Sequence, residues 1–304
     1  MSARRATLRR AFAGRIGAAF ATFVLLGGCA DAPVPSAAPT ATPAPEPTAV
    51  SKTYELGTKV WYEGLVLTFD RVTSLLDVRG GTVDLLVGVE NPNPDDAQLD
   101  AAITLVVGDV RIAPTRESRI PEIPATGSVA TILTFEVQAI PSVDAAAFEV
   151  GGAPDHVGRV PITPSGGDVL AYEPVAFGLT GSAQASSLKL ALRSGLVRWD
   201  LPDWAQELNA KLEVLTVTYD VTYTGDFAGG LAFTGDNVAL KLPDGTVLRA
   251  RKDGHSQSVE LVGAHKTKKG LFSRFEIPAG TTGKLLLLVQ SAGDQRTIQF
   301  AIGG

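Results

Sequence analysis

Sulfur-containing and aromatic side chains are scarce in this chain. Its 304 residues include one cysteine, one methionine and three histidines, and aromatic residues make up 7% of the total. A single cysteine excludes an intramolecular disulfide and a cysteine-based zinc site. The sole methionine is Met1, so a soft thioether site for copper(I) is excluded as well. We therefore expect the burial of apolar side chains to stabilise the folded part.

Motifs of the common catalytic and cofactor sites are also missing. The histidines, His156, His255 and His265, are too far apart to form a metal-binding pair at i, i+4 spacing. The sequence has no nucleophile elbow, phosphate-binding loop or zincin motif. We expect no cofactor and no bound metal, and no residue is assigned to catalysis.

The N-terminal segment has no acidic residue before Asp31. Its basic residues are Arg4, Arg5, Arg9, Arg10 and Arg15. The uncharged stretch that follows, Ile16 to Gly28, has thirteen residues, whereas a membrane-spanning helix needs about 20. A basic start, a short apolar stretch and small residues at its end are typical of a secretory signal peptide, predicted here over residues 1–28.

The only cysteine follows this segment directly. Leu26-Gly27-Gly28-Cys29 resembles the lipobox of bacterial lipoproteins. The resemblance implies that Cys29 receives a diacylglycerol, becomes the first residue after cleavage and anchors the protein on the extracytoplasmic face of the cell membrane. An ordinary cleaved signal with a stray cysteine is the alternative. Leu8-Arg9-Arg10-Ala11-Phe12 also resembles the twin-arginine export motif, and the general secretory route stays open beside it.

The chain that remains after cleavage is acidic. Without residues 1–28 it has 22 basic and 32 acidic residues, a net charge of −10. Nucleic acids are bound largely through phosphate neutralisation, so we expect no nucleic-acid partner. An anionic membrane surface does not attract such a protein either, which leaves the anchoring to the lipid on Cys29.

A proline-rich segment separates Cys29 from the rest. Residues 29–51 contain six prolines and much alanine and threonine. Such a composition cannot form a core and favours an extended polyproline conformation of ~3.1 Å per residue. We expect a tether that holds the folded part up to roughly 70 Å from the bilayer.

Apolar and polar residues alternate with a period of two from Thr53 onward, clearly so in residues 83–91, 215–223 and 297–302. Strict alternation predicts strands with one buried and one solvated face. Turn signals recur at Arg79-Gly80-Gly81, Asn91-Pro92-Asn93-Pro94 and Pro243-Asp244-Gly245. One helix is predicted, beginning at Asp200-Leu201-Pro202-Asp203-Trp204 and continuing to Leu212.

The same pattern occurs twice. Each half has a long alternating strand, a polar loop, a hairpin and a strand that carries Phe-Glu, at Phe135-Glu136 and at Phe275-Glu276. We predict an all-β fold with two immunoglobulin-like β-sandwich domains, at 52–160 and 165–304, after the signal peptide and the proline-rich tether. Residues 160–168 are predicted as the linker.

The order of these motifs resembles the immunoglobulin-like domains of the immunoprotective extracellular protein superfamily. Asn91 matches the asparagine that closes the long strand of that family, and Leu242-Pro243-Asp244-Gly245-Thr246 matches its hairpin. The resemblance implies secreted or lipid-anchored bacterial domains. It carries over no catalytic residue.

One stretch is basic against this acidic background. Its seven cationic residues are Arg249, Arg251, Lys252, Lys266, Lys268, Lys269 and Arg274. On adjacent strands they would form a patch for an anionic glycopolymer, a lipid headgroup or an acidic protein. Solvated hairpin ends are the alternative interpretation.

An acidic loop and four aromatic residues are further candidates for binding. The acidic loop from Glu90 to Asp100 is either a calcium site or a solvated loop without a ligand. The aromatic residues either contact a sugar or a protein or belong to a sandwich core; they are Trp61, Tyr62, Trp199 and Trp204. The favoured function is a non-catalytic binding or scaffolding module that contacts a cell-wall polymer or an envelope protein. The alternative is a hydrolase of envelope polymers with convergent carboxylates such as Asp200 and Asp203.

Overall fold

The computed structural model describes residues 48–140, 142–252 and 259–303. The predicted signal peptide, Cys29 and most of the tether therefore lie outside the described residues, as does His255. Val50 and Ser51, predicted as the end of the tether, already belong to the first strand.

Eight strands form the first sandwich. They are β1 (Val50–Tyr62), β2 (Leu65–Asp77), β3 (Gly80–Glu90), β4 (Ile103–Val107), β5 (Val110–Ile112), β6 (Ser128–Gln138), β7 (Ala147–Val150) and β8 (Gly158–Pro161). One sheet has the order β1-β2-β3-β6 and the other the order β5-β4-β7-β8, and all their pairs are antiparallel.

Thirteen strands follow. They are β9 (Val175–Gly178), β10 (Ser182–Ala185), β11 (Leu188–Arg198), β12 (Asp200–Leu201), β13 (Gln206–Glu207), β14 (Leu212–Tyr223), β15 (Leu231–Phe233), β16 (Val238–Lys241), β17 (Val247–Arg249), β18 (Glu260–Val262), β19 (Thr267–Pro278), β20 (Gly283–Ser291) and β21 (Asp294–Ile302). The second sandwich has one sheet of order β10-β11-β14-β19, with β9 added on β11, and a facing sheet of order β17-β16-β20-β21. Two short two-stranded sheets, the β12-β13 hairpin and the β15-β18 pair, are added to it in the described residues.

Both sandwiches share one topology. In each, the third strand in the order of the first sheet pairs with the strand that carries Phe-Glu: β3 with β6, and β14 with β19. The register places Val83 opposite Phe135 and Leu215 opposite Phe275, so the two Phe-Glu sequences occupy equivalent positions. The prediction of an all-β fold is confirmed.

Alternation along the strands produces two separate cores. Phe69, Phe135 and Phe148 pack together in the first, with ring centroids 5.5 to 6.0 Å apart. Tyr219 is fully buried in the second, where its hydroxyl lies 2.6 Å from that of Ser273. Each Å² of apolar surface that is buried stabilises the folded state by about 25 cal/mol. We expect this burial to be the main source of stability in a chain that has one cysteine.

The predicted helix at residues 200–212 is wrong. Only Pro202–Trp204 forms a single 3₁₀ turn, which ends because Ala205 adopts a left-handed conformation with φ of 45°. On either side of the turn, Asp200 pairs with Glu207 in the small β12-β13 hairpin. Leu201 and Leu208 are then buried against Val214, a contact that a continuous helix would not allow.

The predicted linker at residues 160–168 is part of the first sandwich. Val160 lies in β8 and, with Ile162, is buried in the first core. Residues Pro164–Gly166 form a 3₁₀ turn, and the backbone of Arg159 pairs with that of Leu170. The chain crosses to the second sandwich over residues 172–174, between Ala171, whose carbonyl accepts the N–H of Trp61, and β9.

No helix in the described part of the chain is long and apolar enough to cross a membrane. The described residues from Thr48 onward belong to a single compact unit that includes both sandwiches.

Candidate functional site

The turn between β1 and β2 inserts into the second sandwich and forms the centre of a polar joint. The backbone N–H of Gly64 donates to Oδ2 of Asp200 at 2.6 Å, and that of Glu63 donates to Oε2 of Glu207 at 3.1 Å. Gly64 has φ of +82°, and a Cβ there would lie 2.7 Å from Cα of Pro202. Only glycine fits this turn, because both its conformation and the close approach exclude a side chain.

The two carboxylates of the joint are buried. Side-chain exposure is 5% for Asp200 and 3% for Glu207. Asp200 also accepts from Nε and Nη2 of Arg198 at 2.7 and 3.0 Å. Its charge is therefore balanced by a guanidinium and a backbone N–H, as a buried carboxylate requires.

The carboxyl group of Glu207 has no such cationic partner at hydrogen-bond distance within the part of the chain that the structure describes. Its Oε1 is buried without a hydrogen bond to any described residue, and Nδ1 of His156 lies 3.7 Å away. Burial, assisted by the charge of Asp200, raises the pKa of Glu207 to about 9. Burial also lowers the pKa of His156, whose Nδ1–H donates to the Leu208 carbonyl at 2.9 Å. At neutral pH the pair is a neutral acid facing a neutral imidazole, rather than an ion pair.

Backbone contacts complete the joint on both sides. The N–H of Ala210 donates to Pro154 O at 3.0 Å, and Asp155 pairs with Asn209 in a β-bridge. Tyr172 packs between His156 and Trp199, with ring centroids 4.8 and 5.8 Å away. The joint is thus a hydrogen-bonded contact between the sandwiches.

A groove lies beside the joint on the outer face of the second sandwich. It has a volume of about 180 Å³ and is bordered by three strands and the 3₁₀ turn. Its lining residues are Leu196, Arg198, Asp200, Leu201, Pro202, Val214, Thr216, Thr218, Phe272 and Arg274. The lining residues that belong to β11, β14 and β19 lie on the side of the sheet that faces away from the second core, because side chains alternate along a strand.

The basic residues predicted as a contact patch have carboxylate partners in part. Arg251 pairs with Glu276, Lys268 with Glu260 and Arg274 with Asp203. Nearby acids therefore reduce the local positive charge that the sequence indicates.

The structure also distributes these seven residues over separate surfaces. Arg251 and Arg274 meet where the N–H of Arg251 donates to the Arg274 carbonyl at 2.7 Å. Lys268 lies six residues along β19 from Arg274, a distance of roughly 20 Å on an extended strand. Exposed Lys266 and Lys269 lie with Lys268 at that end.

Arg249 and Lys252 line a different cavity of about 410 Å³ together with Asp236 and Gln290. The basic residues thus form at least two smaller groups, one beside this cavity and one at the start of β19.

The acidic loop at residues 90–100 is held mainly by an asparagine. Nδ2 of buried Asn91 donates to the carbonyls of Asp95, Ile123 and Pro124 at 2.8 to 3.3 Å. Oδ1 of Asp96 accepts the N–H of Ala125 at 2.8 Å. Among the described residues, no group of three or more histidine, cysteine or acidic side chains is placed to hold a metal ion.

The aromatic candidates have different environments. Tyr62 is buried in the first core, and Trp199 lies half-buried in the joint. Trp204 is 54% exposed and ends the 3₁₀ turn whose first residue, Pro202, lines the groove. Glu207, Gly64 and Tyr172 were not predicted as site residues, because the contacts that bring them together cross between distant parts of the chain.

The comparisons with known proteins identify no family. No family model matches the chain, and no curated protein matches it. Among solved structures, the crystal structure of the conserved domain protein from Bacillus anthracis aligns with 82% of this chain and 90% of its own. The two are 10% identical with a TM-score of 0.25, so this likeness carries no argument about fold or function.

Proposed function

We propose that this chain is a lipid-anchored protein of the cell envelope that acts as a non-catalytic binding or scaffolding module. One observation carries the proposal: the buried carboxylates Asp200 and Glu207 accept backbone N–H groups of the neighbouring sandwich. A carboxylate pair that hydrolyses a glycosidic bond must instead face the substrate. The described acids that come closest to such a pair therefore have a structural role.

Cys29 and the proline-rich tether support the location in this proposal. A diacylglyceryl anchor with a further acyl chain is sufficient for stable membrane attachment. The tether then presents both sandwiches at a distance from the bilayer, where cell-wall polymers and envelope proteins are the available partners.

The exposed lysines at the start of β19 are a candidate contact for an anionic partner. Lys266 and Lys269 are exposed there beside Lys268, in a protein that otherwise carries net negative charge. Attraction between exposed charges is screened with a Debye length of about 10 Å at 0.1 M salt.

The test is cosedimentation of the full chain with isolated cell envelopes over a salt series, with assay of released sugars. We expect retention without release of soluble fragments, and weaker retention of the Lys268→Glu/Lys269→Glu double variant at low salt. Absence of retention on every envelope fraction would overturn the proposal. Release of fragments would favour the alternative hydrolase of envelope polymers.

A further inference from the structure

The groove beside the joint has a regular floor. The strand register sets three rows across β11, β14 and β19: Arg198-Val214-Glu276, Leu196-Thr216-Arg274 and Ser194-Thr218-Phe272. Neighbouring strands are about 4.8 Å apart and neighbouring rows about 7 Å apart. Arg198 and Arg274 therefore occupy diagonal positions on either side of Val214 and Thr216.

Both guanidinium groups are held in place. Arg198 forms two hydrogen bonds with Asp200, and Arg274 pairs with Asp203 while lying 5.1 Å from the ring centroid of Phe272. Their side chains are only 18% and 13% exposed. Side chains ordered in this way lose little conformational freedom when a ligand binds.

Several polar groups of the groove remain available to a ligand. Nη1 of Arg198 and the hydroxyls of Thr216 and Thr218 form no hydrogen bond to any described residue. Guanidinium N–H groups only donate, whereas hydroxyls both donate and accept. Apolar surface of Leu196 and Pro202 lies beside them.

The charges of the groove favour a neutral ligand. Each arginine is matched by an aspartate, so an anion attracted by Arg198 or Arg274 is repelled by Asp200 or Asp203. A hydroxyl-bearing ring can instead both donate to and accept from these groups, and its C–H face can cover the apolar surface. The volume of about 180 Å³ is below the roughly 300–1,000 Å³ typical of pockets for drug-sized ligands, which fits one ring.

We propose that this groove binds one ring of a neutral saccharide. The inference rests on the proposed function, because it assigns a ligand class to a binding module of the cell envelope. Trp204, an exposed aromatic side chain, ends the 3₁₀ turn whose first residue, Pro202, lines the groove.

The test is calorimetric titration of the full chain with malto-oligosaccharides and with N-acetylglucosamine oligosaccharides, with polygalacturonate as the anionic comparison. We expect weak binding of at least one neutral series, little affected by salt, with a change in tryptophan fluorescence from Trp204. Thr216→Val and Thr218→Val each remove one hydroxyl at nearly constant shape and should lower affinity roughly two- to tenfold. Thr216→Trp fills the groove and should abolish binding.

Thr68→Val is the matched control, because Thr68 lies on the outer face of the first sandwich and should leave affinity unchanged. Circular dichroism of each variant confirms that it folds. Absence of binding to both neutral series, preference for polygalacturonate, or equal affinity of the wild type and Thr216→Trp would overturn the groove assignment. Envelope retention that persists while neither neutral series binds in the titration would overturn the groove assignment alone and leave the proposed function in place.

Discussion

Glu207 is a carboxyl group whose pKa in the folded chain lies far above its value in water. A carboxyl group buried between two sandwiches, with one oxygen on a backbone N–H and the other facing a neutral imidazole, retains its proton at neutral pH. Sequence patterns do not predict this state, since Glu207 lies in a polar stretch that resembles a helix. The partners that bury it, Glu63 and His156, are far away in the chain.

Glu207→Gln tests this protonation state. The pKa of Glu207 is about 9 in the folded chain and close to 4.5 in the unfolded chain, so its stabilising contribution is complete below 4.5 and is lost as pH rises towards 9. Glutamine resembles the protonated acid and does not titrate. We expect the stability of Glu207→Gln relative to wild type to increase between pH 5 and pH 9, by at most about 1.4 kcal/mol per pH unit.

Urea unfolding at several pH values measures the difference. Glu213→Gln is the matched substitution, because Glu213 is also a buried carboxylate that accepts a backbone N–H, from Gly280 at 2.8 Å. Parallel stability curves of Glu207→Gln and the wild type from pH 5 to pH 9 would show that Glu207 is ionised in the folded chain.

The strands were predictable at the scale of the element, whereas the short connections were not. Alternation over residues 83–91 and 215–223 reports burial on one face, and these residues lie in or at the end of β3 and in β14. Proline at position 202 and the good helix formers in residues 205–208 favour a helix, yet the pairing of Asp200 with Glu207 outweighs local propensity there. Propensity describes the isolated segment, but burial against the neighbouring sandwich determines its conformation.

Gly64 in the turn between β1 and β2 and Gly57 within β1 offer a matched pair of glycine substitutions. Gly64 and Gly57 both have positive φ, but a Cβ at Gly57 meets nothing within 4 Å, whereas one at Gly64 collides with Pro202. We expect Gly57→Ala to cost only the left-handed backbone penalty of about 1 kcal/mol. Gly64→Ala should cost about 3 kcal/mol or more, because it also separates the turn from Asp200.

Amide hydrogen exchange shows where the damage occurs. Gly64→Ala should accelerate exchange at the N–H groups of Glu63, His156 and Ala210, which all belong to the joint, while Gly57→Ala should leave them protected. Equal destabilisation by the two variants would mean that the joint contributes little to the folded state.

The whole molecule combines two sandwiches of one topology with an N-terminal part that the sequence predicts to be a signal peptide and a lipid-anchored tether. The repeat was recognisable because strand ends and turns carry distinctive residues, such as the Phe-Glu sequences of β6 and β19. The basic patch was less predictable: closeness in sequence brings seven cations into one stretch, but β17 and β19 carry them to different surfaces and to acidic partners.

Cys29→Ser tests the membrane attachment. Serine cannot receive the diacylglyceryl group, so we expect the variant to appear in the soluble fraction or to keep its uncleaved N-terminus. Fractionation of cells and mass determination of the N-terminal peptide measure both. A cleaved Cys29→Ser protein that sediments with membranes as the wild type does would refute lipid anchoring through Cys29.

The position of β1 has a mechanical consequence. This strand receives the chain from the tether and ends at the turn that inserts into the joint, so tension applied ahead of Thr48 is transmitted along its thirteen residues. Its first fastenings are the ladder with β2, which begins at Val50 opposite Leu76, and the contact of Lys52 and Tyr54 with Asp144, at 3.1 and 2.6 Å. A load from the membrane side must release the start of this ladder and the contact with Asp144 before the rest of the ladder between β1 and β2. The polar joint at the far end of the strand stays loaded last, which keeps the two sandwiches together while the edge strand yields.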